Sequence, residues 1–158
     1  MQTKNKVLVR GTPKIEKVYP DGTRVLHYQD ENIIVLTAKQ VLLSGLYLTG
    51  QTSDPVSTLW VGTGGTVDPG GQFPKPVSQN QASLFTPLIS VSTSYTVDNT
   101  MPSVTFIADL DQSTANGSLI TEAGLFKKSG AIFNIKTFPG IPKTAEFSVH
   151  FEWEIEMS

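Results

Sequence analysis

Glu146-Phe147-Ser148-Val149-His150-Phe151-Glu152-Trp153-Glu154-Ile155-Glu156-Met157 alternates without a break between polar and apolar residues. Phe147, Val149, Phe151, Trp153, Ile155 and Met157 fall on one side; Glu146, Ser148, His150, Glu152, Glu154 and Glu156 fall on the other. Successive side chains leave a β-strand on opposite faces, so this run predicts a long strand with one dry and one polar face. At about 25 cal/mol per Å² of apolar area, its aromatic residues anchor a core by several kcal/mol. Such a strand needs partners beside it and a second layer over its apolar face. The expected fold is therefore mainly β: an antiparallel β-sandwich, jelly-roll-like, in one domain spanning residues 1–158.

The preceding segments read as a β-meander. Val104, Phe106, Ala108 and Leu110 alternate with polar or smaller residues, as a half-buried strand should. Asn116-Gly117 predicts a type I′ hairpin turn, from which Ser118–Phe126 returns. Ser129-Gly130 turns again, and Ala131–Phe138 runs to an expected break at Pro139-Gly140-Ile141-Pro142. Upstream, Leu88–Val97 reads as one strand leading to a turn at Asp98-Asn99-Thr100-Met101-Pro102.

The first half opens on a hairpin. Lys14–Tyr19 and Thr23–Gln29 are β-prone runs joined by Pro20-Asp21-Gly22, where proline presets φ and glycine accepts φ > 0. Asn32–Leu36 is a short apolar run suited to continuing the sheet. Thr37 and Gln40 then make a capping-box pattern, and Ala38, Val41, Leu42, Gly45 and Leu46 form one apolar stripe. These predict one short helix near residues 37–48, with Gly50 closing it. Ser57–Gly62 reads as a strand carrying Trp60. From Gly62 to Pro87 the sequence is rich in Gly and Pro, a length unusual in a compact domain and generally functional or contact-making when ordered. It is expected to be an extended loop or arm.

Composition narrows the function. The chain has 158 residues, 16% charged, with a net charge of −2, which leaves no basic footprint for nucleic acid. No apolar run is long enough for a membrane span, and Met1–Arg10 lacks a signal-peptide core, so synthesis and assembly in the cytoplasm are expected. With no cysteine, disulfides, thiol nucleophiles and Cys-ligated metals are excluded. The two histidines, His27 and His150, make a His-rich metal site improbable in composition. No cofactor and no catalytic residue is expected.

The chemical motifs are weak. Gly62-Thr63-Gly64-Gly65-Thr66-Val67 has Val67 where a dinucleotide fingerprint needs its third glycine, and Asp68-Pro69 follows instead of a helix. It reads better as a turn leaving a buried strand. Asp109 and Asp111, with Glu122 on the next strand, supply carboxylates for a cation or for glycoside hydrolysis. Solvated carboxylates at a strand end are the simpler reading. His150 among its acidic neighbours suggests a pH-responsive contact or a face for a basic partner. Carboxylates along that strand also discourage wrong edge pairing.

Three strings carry a resemblance. They are Asn116-Gly-Ser-Leu-Ile-Thr-Glu122-Ala-Gly124-Leu-Phe126, then Gly130-Ala-Ile-Phe133, then Phe138-Pro-Gly-Ile-Pro-Lys143-Thr144. Together with Leu59-Trp-Val-Gly62-Thr-Gly64 and Asn32-Ile33-Ile34 before the expected helix, their order and spacing resemble bacteriophage tail- and fibre-associated structural proteins. In that pattern an I-x-E-x-G-L-F strand precedes a hairpin, a lysine-threonine turn and a terminal alternating strand. An acidic-threonine-leucine segment frequent after the family's G-T-G loop is replaced here by Gln81-Ala82-Ser83-Leu84.

The resemblance implies a structural subunit of the virion, in a baseplate, collar or fibre attachment, whose partners are copies of itself and other virion proteins. Gly64, Val67, Phe73, Leu84 and Phe85 on the long loop, with His150, Glu152 and Glu154 on the last strand, are the interface candidates. On strand 118–126, Leu119, Ala123 and Leu125 face one way and Ile120, Gly124 and Phe126 the other, with Glu122. A strand apolar on both faces is covered on both, so Glu122 is expected to be a structural carboxylate held by backbone N–H groups or a lysine. The alternative is recognition of a host surface glycan, with Trp60, Tyr95 or Phe73 as a stacking platform.

Overall fold

The computed structural model describes residues 8–34, 53–98, 100 and 102–157. Among them are ten strands: β1 (Val9–Val18), β2 (Arg24–Gln29), β3 (Ile33–Ile34), β4 (Val56–Gly62), β5 (Pro87–Ser92), β6 (Ser94–Asp98), β7 (Ser103–Leu110), β8 (Leu119–Lys127), β9 (Ile132–Pro142) and β10 (Ser148–Met157). They form two antiparallel five-stranded sheets, ordered β2-β1-β10-β7-β6 and β3-β9-β8-β4-β5. The helix expected over 37–48 lies outside the described residues.

The alternating terminal run is the centre of the first sheet. Val149, Phe151, Trp153 and Ile155 of β10 are buried, and the register sets Phe151 between Ile15 of β1 and Ala108 of β7. From the second sheet, Leu59, Val61, Ala123, Leu125 and Ile135 join the same core cluster. At the crossing from β2 to β3, Asn32 donates its N–H to Gly11 O at 2.8 Å and accepts the Trp153 indole N–H at 3.3 Å. A Cβ at Gly11 would collide with the Asn32 side chain, which would have to shift from the position where it accepts the Trp153 N–H.

Four sequence expectations change in the structure. Leu88–Val97 is two strands, not one: β5 ends at Ser92 in the second sheet, and β6 begins at Ser94 in the first. Asn116-Gly117 is not a hairpin, because β7 and β8 belong to different sheets. The connection instead places Ala115 (φ 61°) and Gly117 (φ 83°) in the left-handed region, and Gly117 N–H bonds Lys143 O at 2.9 Å. Pro139-Gly140-Ile141-Pro142 does not end its strand. β9 runs through it because the register shifts between Ile120 and Glu122 of β8, a bulge that absorbs the prolines. Finally, antiparallel neighbours β1–β2, β4–β5, β6–β7 and β8–β9 each stay within one sheet. That order differs from the interleaved Greek keys of a jelly roll.

Candidate contact surfaces

The segment between β4 and β5 folds back on its own sheet, and Glu122 holds it there. Glu122 is fully buried on β8. Its Oε1 accepts N–H groups from Thr86 at 2.7 Å and Gly64 at 3.2 Å, and its Oε2 accepts that of Phe85 at 2.8 Å. Three donors on one carboxylate replace the water that burial removes. The start of the loop and its end are thus tied to one side chain, and Thr63 N–H closes on Thr86 O at 3.0 Å.

The glycines of this loop answer to that packing. A Cβ on Gly62 would meet Glu122 Oε1 and Thr86 O, each at 2.4 Å; one on Gly65 would meet Thr121 O at 2.2 Å. Gly65 N–H donates to Thr121 Oγ1 at 2.8 Å. Further along, Lys75 N–H bonds Gly65 O at 2.8 Å, Lys75 O accepts the Thr137 hydroxyl at 2.6 Å, and Gly140 N–H bonds Gly71 O at 2.6 Å. The glycines of the GTGG run answer to close packing, by β8 at Gly62 and Gly65 and by the returning Thr86 at Gly62 and Gly64.

At the tip, Val67 N–H bonds Phe73 O at 2.9 Å, and the Asp68 carboxylate accepts the N–H groups of Gln72 and Phe73. Those donors hold the Asp68 carboxyl below its usual range. Of the interface candidates on the loop, Val67 and Phe73 are exposed at this tip, and Phe85 is exposed beneath the Lys75 ammonium, 4.8 Å from its ring centre. Leu84 is buried in the chain's own core and presents no surface; Gly64 lies half-buried against Thr86.

The polar face of the first sheet carries the remaining candidates. The register sets His150 between Glu16 and Asp109, and Glu152 opposite Lys14. His150 Nδ1 lies 2.7 Å from Asp109 Oδ1, and its Nε2 lies 3.2 Å from Glu152 Oε1. Glu16 is paired to Lys14 at 3.2 Å and to Arg24 at 3.6 Å. Glu154 stands exposed between Thr12 and Thr105. The candidate carboxylates do not converge. Asp109 meets His150, Asp111 caps a turn through Ser113 and Thr114, and Glu122 faces loop N–H groups.

Nor do the three aromatics of the glycan reading share a platform. Trp60 packs on Phe126, Tyr95 on Phe106, and Phe73 sits on the loop tip. What the sequence reading missed is an apolar cleft of 680 Å³ between the two sheets, lined among the described residues by Val9, Val56, Tyr95, Val97, Phe133 and Met157. Its trace in the sequence is the alternation Tyr95-Thr96-Val97, which puts two apolar side chains on one face of the edge strand β6.

Comparison with known proteins found no matching family model, no matching curated protein and no matching solved structure.

Proposed function

We propose that this chain is a structural subunit of a bacteriophage virion, tail-associated in a baseplate, collar or fibre attachment. It acts by contacts with copies of itself and with other virion proteins, without catalysis of its own, from two sheets stacked as a β-sandwich. One observation carries the reading. The strings that resemble phage tail proteins, the Gly62-Thr-Gly64 segment and the Glu122–Phe126 strand, are 58 positions apart between Gly64 and Glu122, yet they meet in one hydrogen-bonded unit. A shared pattern whose parts depend on each other physically is better support than separate short matches. Its product is a long loop stiffened from below, a suitable support for side chains that contact a neighbour.

An antibody raised against the purified chain tests the proposal on intact particles of the phage that encodes it. Label at the tail or its attachments, seen by electron microscopy, supports it. Particles that lack the protein by label and by mass spectrometry rule out a virion role, and with it the alternative of a glycan-binding host-recognition module of the tail. That alternative predicts retention of the isolated chain on bacterial polysaccharide.

A further inference from the structure

Two strings of the sequence meet at a place the contact surfaces do not use: Asn116-Gly117, in the crossing from β7 to β8, and Lys143-Thr144, after β9. Gly117 N–H donates to Lys143 O, and Lys143 Nζ donates to Asn116 Oδ1, each at 2.9 Å. The partners differ in their surroundings. Asn116 and Gly117 are exposed, whereas Lys143 is 1% exposed. The second acceptor of the buried ammonium is Thr144 O. Among the described residues no carboxylate pairs with it; Asp111, the acid on the same crossing, faces Ser113 and Thr114. Buried charges are ordinarily paired, so this cation is held by neutral oxygens where a carboxylate would serve better.

The same asparagine is chemically labile. It is the one asparagine of the chain followed by glycine. With no Cβ to shield it, the Gly117 nitrogen can attack Asn116 Cγ. The Gly117 N–Cγ bond forms, the Cγ–Nδ2 bond breaks, and the amide nitrogen leaves as ammonia with the proton that Gly117 gives up. Water then adds to Cγ and breaks the N–Cγ bond, which restores the main chain and leaves a carboxyl group. Addition at the main-chain carbonyl instead gives isoaspartate, whose extra main-chain carbon displaces Gly117 N–H from Lys143 O. Lys143 Nζ already lies on the oxygen where negative charge develops during the attack, which favours that step. Attack requires Gly117 N–H to leave Lys143 O, a local opening of an exposed turn.

We propose that Asn116 is the site where this chain deamidates, and that the aspartate formed there becomes the counter-ion of Lys143. One carboxylate oxygen takes the place of Oδ1 against the ammonium. The other, in place of Nδ2, gives up the bond to Gln112 O at 2.8 Å, but Gln112 is exposed and water satisfies its carbonyl. The change is a spontaneous, one-way modification that tightens the β7–β8 crossing as the protein ages. It does not depend on the virion reading.

The full chain is incubated at neutral pH and resolved by ion exchange, which separates each negative charge added to a chain of net charge −2. Peptide mapping by mass spectrometry then places the amide-to-acid mass gain and separates aspartate from isoaspartate. The gain is expected at Asn116 before any other amide, with aspartate among the products. Asn116→Asp, made directly, supplies that product in pure form. Its folding equilibrium constant is expected to be roughly tenfold larger than that of wild type, read as a higher urea midpoint at unchanged slope. In a Lys143→Met background the same substitution should bring no gain, which assigns the gain to the pair. No mass gain at Asn116, a first gain elsewhere, or isoaspartate alone overturns the assignment of the site. A midpoint for Asn116→Asp at or below wild type, or a gain that persists without Lys143, overturns the ion pair.

Discussion

Glu122 Oε1 accepts the backbone N–H of Thr86 at 2.7 Å, tying the middle of β8 to the end of a loop that left the same sheet at Gly62. The carboxylate receives three N–H groups, so it is matched to its site only as a pure acceptor. Glutamine keeps the shape but turns an NH2 toward one of those donors. Glu122→Gln is therefore expected to cost about 1–3 kcal/mol, read as a lower urea midpoint at unchanged slope. A variant as stable as wild type would show that the loop is held by its other contacts.

The loop glycines separate steric need from conformational need. Gly65→Ala drives a Cβ against the Thr121 carbonyl at 2.2 Å, and backbone on a central strand cannot yield cheaply. Gly22→Ala meets no atom within 4 Å and suffers only from φ at +87°. We expect a loss of about 1–3 kcal/mol or more for Gly65→Ala and about 1 kcal/mol for Gly22→Ala. Equal costs in thermal unfolding would remove the close-approach explanation of the GTGG run.

Much of the architecture was legible because local pattern and burial coincide. The twelve-residue alternation marked β10, and Pro20-Asp21-Gly22 marked the first turn, where Gly22 has φ +87° and Asp21 caps Thr23 at 2.8 Å. Glu122 could be singled out because a carboxylate on a strand apolar on both faces needs partners. Which partners it has depends on a loop that returns from 36 positions away, and no local pattern encodes that. The same limit hid the break at Thr93: the residues stay β-prone while the chain changes sheets. Asn116-Gly117 misled for the opposite reason. A strong local turn signal is used in a crossing between sheets, where Lys143 supplies the acceptor for Gly117.

Two groups near the β2–β9 contact give stability a dependence on pH. His27 is half-buried, and that desolvation lowers its pKa below 6.5, although its Nε2–H donates to Pro139 O at 2.6 Å. The unfolded state therefore takes up the proton first, and stability falls as pH drops from about 6.5 through the lower folded value. Tyr28 moves the other way. Burial, then the nearby Asp30 carboxylate, pushes it up to about 12 from 10.0. Unfolded tyrosine ionises first, so stability is lost as pH rises from 10.0 to about 12. Denaturation midpoints against pH should show His27→Gln flattening the acid slope and Tyr28→Phe the alkaline one. An ultraviolet titration of the folded chain should contain a late tyrosinate step that Tyr28→Phe removes.

Lys143 offers the sharpest contrast between a buried charge and its partner. Its side chain is 1% exposed, and its Nζ donates to Asn116 Oδ1 and Thr144 O, both at 2.9 Å, 5.6 Å from the centre of the Phe147 ring. Burial lowers the pKa of the amine, with the Asp111 charge opposing the shift. Removing the acceptor while leaving the ammonium is the damaging change, so Asn116→Ala should cost about 1–3 kcal/mol. Lys143→Met removes the charge, keeps most of the volume and leaves Asn116 exposed to water. Replacing a buried ion by a well-packed apolar side chain is often neutral or stabilising, so its effect should stay within about 1 kcal/mol of zero. Should Lys143→Met prove the more damaging of the two in urea, the ammonium itself would be holding the β7–β8 crossing to β9, and the hydrogen bond to Asn116 would be incidental.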